Sequence, residues 1–192
     1  MIPDYIDQPI VFIDLETTGA NFARDRVLEI GCVEVDRDGV HEWSSLVNPA
    51  VGVTPFITQL TGIDDAMVAD APPFKSLAED LRERLRGKLF VAQNARFDYG
   101  FLKAEFARLG VDFKATVLCT VKLSRKLYPQ HHRHNLDTLM SRHGIKADAR
   151  HRALADAEMA AHLLAQAHTP AELTGLAQGL NDSLVGHHGL AL

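Results

Sequence analysis

A chain of 192 residues with 46% hydrophobic content can build one well-buried domain and a short additional segment, and no apolar run in it approaches the ~20 residues of a membrane helix. Twenty Lys and Arg against 25 Asp and Glu leave a formal charge of -5, which argues against a protein that coats nucleic acid indiscriminately. The start, Met1-Ile2-Pro3-Asp4-Tyr5, lacks the basic and apolar regions of a signal peptide, so the expectation is a cytoplasmic protein.

In chain order, Ile10 to Ile13 is an apolar run that reads as a buried strand continuing into Asp14-Leu15-Glu16-Thr17-Thr18-Gly19. Side chains alternate along a strand, so Asp14 and Glu16 share one face. Burying two like charges together is costly unless a cation neutralises them, and oxygen ligands suit Mg²⁺ or Mn²⁺ rather than zinc. Gly19 would end the strand where a ligand can approach the backbone closely. Val27 to Val35 is rich in β formers, Asp36-Arg37-Asp38-Gly39 is a turn signal and Val40 to Val47 returns, which predicts a hairpin and, with the first strand, a three-stranded meander ended by Asn48-Pro49. Cys32 and Cys119 both sit in apolar stretches, as buried free thiols do.

Thr54, Pro55 and Gly62 mark the N-cap, first position and end of a short helix. A second cap signal at Asp70 to Pro73 precedes Phe74, Leu77, Leu81 and Leu85 at helical spacing, with Gly87 as the stop and Glu79, Asp80, Arg82, Glu83, Arg84 and Arg86 on a solvated face. Leu89 to Ala92 is a short buried strand, and Gln93-Asn94-Ala95-Arg96 leads into a helix bearing Phe97, Phe101, Leu102, Phe106 and Leu109 before Gly110. Val117 to Cys119 is another brief strand, followed by a helix from Val121 to Tyr128 that Pro129 ends. After the polar Gln130-His131-His132-Arg133-His134, Asn135 caps a helix that runs to His143 and stops at Gly144. The last helix follows His151-Arg152, with Leu154, Ala157, Ala161, Leu164 and Ala165 as its apolar stripe. A meander followed by strands alternating with helices predicts a mixed α/β sheet. From Thr169 onward Pro170, Gly175, Gly179 and Gly186 dilute the pattern, which divides the chain into a domain over 1–168 and a tail or linker stub over 169–192.

Charge is unevenly placed. From Lys114 to Arg152 the basic residues are Lys114, Lys122, Arg125, Lys126, Arg133, Arg142, Lys146, Arg150 and Arg152, against Asp137 and Asp148. A basic patch beside an acidic metal site is what a phosphodiester substrate would need, although a solvated basic surface explains the same charges. Asp98 in the first turn of one helix, Asp156 near the start of another and His151 five residues before it are the other candidates. Singly, each has an ordinary explanation, since acids in a first turn complement the helix dipole and a loop histidine needs no role.

Phe12-Ile13-Asp14-Leu15-Glu16-Thr17-Thr18-Gly19, Asn94-Ala95-Arg96-Phe97-Asp98-Tyr99-Gly100-Phe101-Leu102 and His151-Arg152-Ala153-Leu154-Ala155-Asp156-Ala157 together resemble the three motifs of the DEDDh 3′-5′ exonuclease family, which includes the proofreading subunit of bacterial DNA polymerase III and RNase T. The resemblance covers roughly residues 10 to 168 in order. It implies an RNase H-like fold with a five-stranded mixed sheet, and it assigns Asp14, Glu16, Asp98 and Asp156 as the four acids and His151 as the histidine of this branch. Gln93 stands where many members have histidine; it can hydrogen-bond but cannot carry a proton charge.

On that resemblance, Asp14 is expected to bridge two Mg²⁺ or Mn²⁺ ions, Glu16 and Asp156 to complete the nucleophile-side ion, and Asp98 to hold the second. His151 takes a proton from water, and the products are nucleoside 5′-monophosphates. Leu15, Thr17 and Thr18 flank the acids, and Phe56, Ile57, Leu60 and Thr61 with Phe97 and Asn94 are candidates to hold the terminal bases, core packing being the competing explanation for Phe97 and Leu60. Arg125, Lys126, His131, His132, Arg133 and His134 are candidate phosphate contacts. The expected substrate is single-stranded or frayed DNA; an RNA-trimming exonuclease and a non-catalytic nucleic-acid-binding domain are the alternatives. A nucleotide switch is excluded by the lack of a Walker-type glycine loop. The tail is a candidate junction to a polymerase, a sliding clamp or a second nuclease domain.

Overall fold

The computed structural model of the protein describes residues 9–144 and 152–166. The apolar run at the start becomes β1 (Ile10–Thr17), the central strand of a five-stranded sheet. β2 (Val27–Asp36) and β3 (Gly39–Leu46) complete the expected meander, turning at Arg37-Asp38, where Asp36 Oδ1 accepts from the Asp38 N–H at 2.9 Å. β4 (Leu89–Ala92) and β5 (Thr116–Cys119) add parallel to β1 on its other side, giving the order β3-β2-β1-β4-β5.

Both faces of this sheet are covered, and the two sets of β1 side chains seed two cores. Val11, Ile13 and Leu15 pack with Phe74, Leu81 and Leu85 of α3 (Phe74–Leu85) and with Phe101, Leu102 and Phe106 of α4 (Arg96–Arg108). Ile10 and Phe12 pack on the opposite face with Val33, Val91, Leu118, Leu123 of α5 (Thr120–Leu127) and Ala157 and Ala160 of α7 (Ala153–Gln166). Double coverage explains why β2 does not alternate: it is buried without interruption from Val27 to Glu34. A smaller cluster of Leu28, Val53, Ile57, Ile63 and Val68 sits beneath α1 (Pro55–Thr61) and α2 (Asp65–Ala69).

The local signals around α1 act as read: Thr54 Oγ1 accepts from the Ile57 N–H and Gly62 closes the helix at φ 75°. The next cap differs. Asp64 opens an unpredicted helix, α2, by accepting from the Met67 N–H at 2.9 Å, and Asp70 ends α2 instead of opening α3, which begins behind Pro73 with no side-chain cap. The charged face of α3 is only partly solvated, because Arg84 reaches Glu34 at 2.5 Å and lies 5.0 Å from the centroid of the Trp43 ring. Cys32 is buried, and burial pushes its thiol well above the usual range; Cys119 is only half-buried. α6 (Leu136–His143) is capped by Asn135 and ended by Gly144 as its sequence predicts. His151, the tail 169–192 and the side chains of Ala161, Leu164 and Ala165 lie outside the described residues. No helix among the described residues is long and apolar enough to cross a membrane.

Candidate active site

β1 pairs with β2 along its whole length but with β4 only over Ile10–Phe12, so the later residues of β1 have an edge with no neighbouring strand. Such an edge exposes backbone donors that something must satisfy. Asp98, in the first turn of α4, does so: its Oδ1 accepts from the Leu15 N–H at 3.1 Å across 83 positions of sequence, and the residue is 2% exposed. Desolvation pushes its carboxyl up to about 8, opposed by hydrogen bonds from its own N–H and that of Leu15 and reinforced by the charge of Glu16.

Asp14 and Glu16 face the same side as α7, opposite Gly31 and Glu29 of β2 in the antiparallel register. Gly31 matters because the start of α7 lies directly on it: a Cβ there would sit 2.2 Å from the carbonyl carbon of Ala153 and the nitrogen of Leu154. This contact brings Asp156, one turn into α7, back to the strand. One carboxylate oxygen from each of Asp14, Glu16 and Asp156 lies within 4.8 Å of the others, with Asp156 buried and the two strand acids half-buried. Three like charges at that separation repel strongly in a partly desolvated site, and the all-oxygen donor set fits a hard divalent cation. The structure thus gathers Asp14, Glu16 and Asp156 tightly, with Asp98 beside them on the Leu15 amide and outside the close trio.

Sequence reasoning missed what fixes α7. Glu29 accepts from Arg152 Nη2 at 2.6 Å and Nε at 3.1 Å, and from the buried Ala153 N–H at 3.0 Å, so one carboxylate both pairs with the residue before the helix and caps its first turn. An isolated acid between Leu28 and Ile30 on a strand buried on both faces was the available signal. Arg152, counted in the basic stretch, is therefore committed to Glu29.

The candidate substrate residues divide. Leu15 is buried in the core, and Thr61 is buried, donating to the Ile57 carbonyl at 3.0 Å and accepting from the Ile63 N–H at 3.1 Å. Thr17 donates to the Gly19 carbonyl at 2.6 Å and Thr18 Oγ1 accepts from the Arg26 N–H at 2.9 Å, so both hydroxyls shape the turn after β1. The bare face of Gly19 is taken by Asp25, whose Oδ2 lies 2.3 Å from where a Cβ would be, and not by open space for a ligand. Phe97 is half-buried, its ring centroid 4.9 Å from that of Phe101. Phe56 and Leu60, one turn apart on α1, are 70% and 45% exposed, so core packing does not account for Leu60. Asn94 is exposed at φ 58°.

Gln93 has an internal use. Its Nε2 donates to the His134 carbonyl at 2.9 Å, and its Oε1 accepts from the Thr120 hydroxyl. His134, expected among the phosphate contacts, is buried with both ring nitrogens engaged: Nδ1 with Ser124 Oγ at 2.8 Å and Nε2 with the His131 carbonyl at 2.9 Å.

Comparison with known proteins bears directly on this arrangement. A profile of the exonuclease family of RNase T matches residues 11–164. The chain is 38% identical over 159 residues to the PolC-type DNA polymerase III of Caldanaerobacter subterraneus subsp. tengcongensis, covering 82% of this chain and 11% of that one. It is 37% identical over 155 residues to the 3′-5′ exonuclease DinG of Bacillus subtilis, covering 79% and 17%. The chain thus spans less than a fifth of these curated relatives. Among solved structures, exonuclease X in complex with 5′ overhanging duplex DNA superposes with a TM-score of 0.67 at 26% identity, covering 85% of this chain and 96% of that one. E. coli exonuclease I in complex with a dA16 oligonucleotide superposes with a TM-score of 0.76 at 18% identity over 89% and 43%, a likeness of fold. The mixed five-stranded sheet with its flanking helices is the RNase H-like fold of these enzymes, and the chain belongs to the exonuclease family.

Proposed function

We propose that the chain is a metal-dependent 3′-5′ exonuclease that removes nucleoside 5′-monophosphates from the 3′ end of single-stranded or frayed DNA in the cytoplasm, with residues 1–168 as the catalytic domain. The observation that carries this reading is the convergence of Asp14, Glu16 and Asp156, with ligand atoms within 4.8 Å, beside an Asp98 held on the Leu15 amide. Asp14, Glu16 and Asp156 would hold one divalent ion and Asp98, with Asp14, a second, Mg²⁺ or Mn²⁺ being the candidates. Bound there, such ions neutralise the acids and the phosphodiester, make water more acidic and stabilise the departing 3′ oxygen.

The chain's own groups do the rest. The Leu15 N–H orients Asp98, Glu29 and Gly31 set the start of α7 and so the place of Asp156, and His151, next in sequence to Arg152, accepts the proton of the attacking water. Phe56 and Leu60 offer an exposed apolar pair on which terminal bases can stack without reading sequence. The tail 169–192 is the proposed junction to a polymerase, a clamp or a second nuclease domain.

The test uses 5′-labelled single- and double-stranded DNA and RNA with Mg²⁺, Mn²⁺ or chelator. The expected result is a ladder shortening from the 3′ end of DNA, abolished by chelator and by Asp14→Asn, and with turnover but not DNA binding strongly reduced in His151→Ala. Cleavage that survives chelation, or release of the 5′ label first, would overturn the reading. Preferential trimming of RNA would move the substrate class.

A further inference from the structure

β1, β4 and β5 run parallel and end at one edge of the sheet, and that edge carries more than acids. Ala92 of β4 lies opposite Cys119 of β5, and α5 begins at the next residue, so α5 leaves the sheet from the edge toward which Asp14 and Glu16 extend. Crevices beyond the carboxyl ends of parallel strands are where such sheets bind ligands.

α5 is strongly two-sided. Thr120, Leu123 and Ser124 are buried, whereas Lys122, Arg125 and Lys126, spaced to share one face, are exposed. Between Thr120 and Leu136 the chain has four Lys or Arg (Lys122, Arg125, Lys126, Arg133) and no acid, in a protein whose net charge is -5. These four form no ion pair among the described residues, unlike Arg26, Arg84 and Arg152, which are held by Glu105, Glu34 and Glu29.

The loop that follows α5 is tied down through its backbone. The carbonyl of His131 accepts from His134 Nε2 at 2.9 Å, that of Arg133 from Arg142 Nη2 at 3.1 Å, and that of His134 from Gln93 Nε2 at 2.9 Å. Gln93 directly follows the last residue of β4, so the third bond fastens the loop to the catalytic edge. With those carbonyls engaged, the side chains of His131, His132 and Arg133 stand exposed on a pre-ordered loop, and little ordering entropy is lost when a ligand binds. His131 titrates below the ordinary histidine range, through desolvation first and then the positive charge of Arg142, His134 and His132 around it.

We infer that Lys122, Arg125, Lys126 and Arg133 form a phosphate track that holds the substrate strand upstream of its 3′ terminus. The inference rests on the exonuclease reading of the acidic site. The track makes the enzyme a reader of strand length: a dinucleotide reaches the acids without it, and a longer strand engages both.

The experiment compares the parent with Lys122→Gln/Arg125→Gln/Lys126→Gln on 5′-fluorescein oligothymidylates from dinucleotide to hexadecamer. Hydrolysis is followed with Mn²⁺, and binding by anisotropy in chelator across a salt series. The expected result is an unchanged kcat/KM for the dinucleotide and a KM for the hexadecamer raised about tenfold. The dependence of log Kd on log salt becomes shallower by about 2, as loss of three single-strand phosphate contacts requires. Equal losses on both lengths, or an unchanged salt slope, would overturn the track. The single substitution Lys126→Gln, expected to shift the slope by about a third as much, serves if the triple variant does not fold. A parent that cuts no oligonucleotide counts against the exonuclease reading instead, and the binding series then decides the track alone.

Discussion

Replacing Glu29 by Ala removes a carboxylate that holds the start of α7, and the structure fixes the size of the effect. The Ala153 N–H, on a residue with 0% exposure, loses its acceptor, which costs about 1–3 kcal/mol. The pair with Arg152 counts for less, about 0.5 kcal/mol, because the Arg152 side chain is 45% exposed. Loss of a negative charge at a helix N-terminus adds about 0.5 kcal/mol. Against this, Glu29 lies opposite Glu16 in the register, and removing one of two like charges across a strand pair returns up to ~1 kcal/mol. The net is about 1–4 kcal/mol, a fall in Tm of about 2–16 °C for a chain of this size. Catalysis should suffer more than stability, since Asp156 stands one turn into α7 and a displacement of ~1 Å costs about a hundredfold in kcat. Differential scanning calorimetry and single-turnover hydrolysis measure the two. Glu29→Gln, which keeps an acceptor for Ala153, should recover most of both. Glu29→Ala melting with the parent and turning over at its rate would refute the argument that this carboxylate places Asp156.

Three other perturbations test the same frame. Asp98, held at about 8 against an ordinary 3.8, is neutral in the metal-free fold at mid-range pH, so its contribution to stability is complete below about pH 4 and is lost as pH rises through 8. Thermal scans should therefore show Mn²⁺ stabilising the protein more at about pH 8 than at about pH 5, a difference that Asp98→Asn removes and whose absence in the parent would sink the argument. Gly31→Ala would press a Cβ against the Ala153 and Leu154 backbone, which cannot yield as a side-chain tip can, so a loss of about 2 kcal/mol or more together with loss of Mn²⁺-induced stabilisation is expected by melting. Gln93→Ala leaves the Thr120 hydroxyl and the His134 carbonyl without their shared partner, and limited trypsin digestion should cut faster after Arg133; an unchanged rate would show that the loop does not depend on Gln93.

Much of the fold was legible because it is written in local terms. Thr54 with Gly62 and Asn135 with Gly144 name both ends of their helices, and Asp36 to Gly39 sets the hairpin, since each satisfies backbone groups within a few residues. Where two local signals overlapped, the sequence misled: Asp64 and Asp70 both resemble caps, and only the geometry shows that Asp64 opens α2 and Asp70 ends it. The acids of the candidate site were legible for a different reason, as three motifs in order around a strand whose alternation puts Asp14 and Glu16 on one face. Their supports were not. Glu29 meets Ala153 across 124 positions and Asp98 meets Leu15 across 83, and nothing near either residue announces a partner so distant.

Gln93 shows how a visible departure can hide its meaning. As a residue type it loses the charge that histidine could carry, which suggests a weaker hold on substrate. In place, it is an amide that donates and accepts at once, joining the His134 carbonyl to the Thr120 hydroxyl at the end of β4. A neutral imidazole also has one donor and one acceptor, but they diverge across a rigid ring, whereas the amide presents both from one terminal carbon on a flexible stem. The exchange therefore trades a titratable group beside the candidate active site for a pH-independent brace. Cationic character is then supplied by groups such as those on α5 and the loop that the brace holds, where Lys122, Arg125, Lys126 and Arg133 stand exposed.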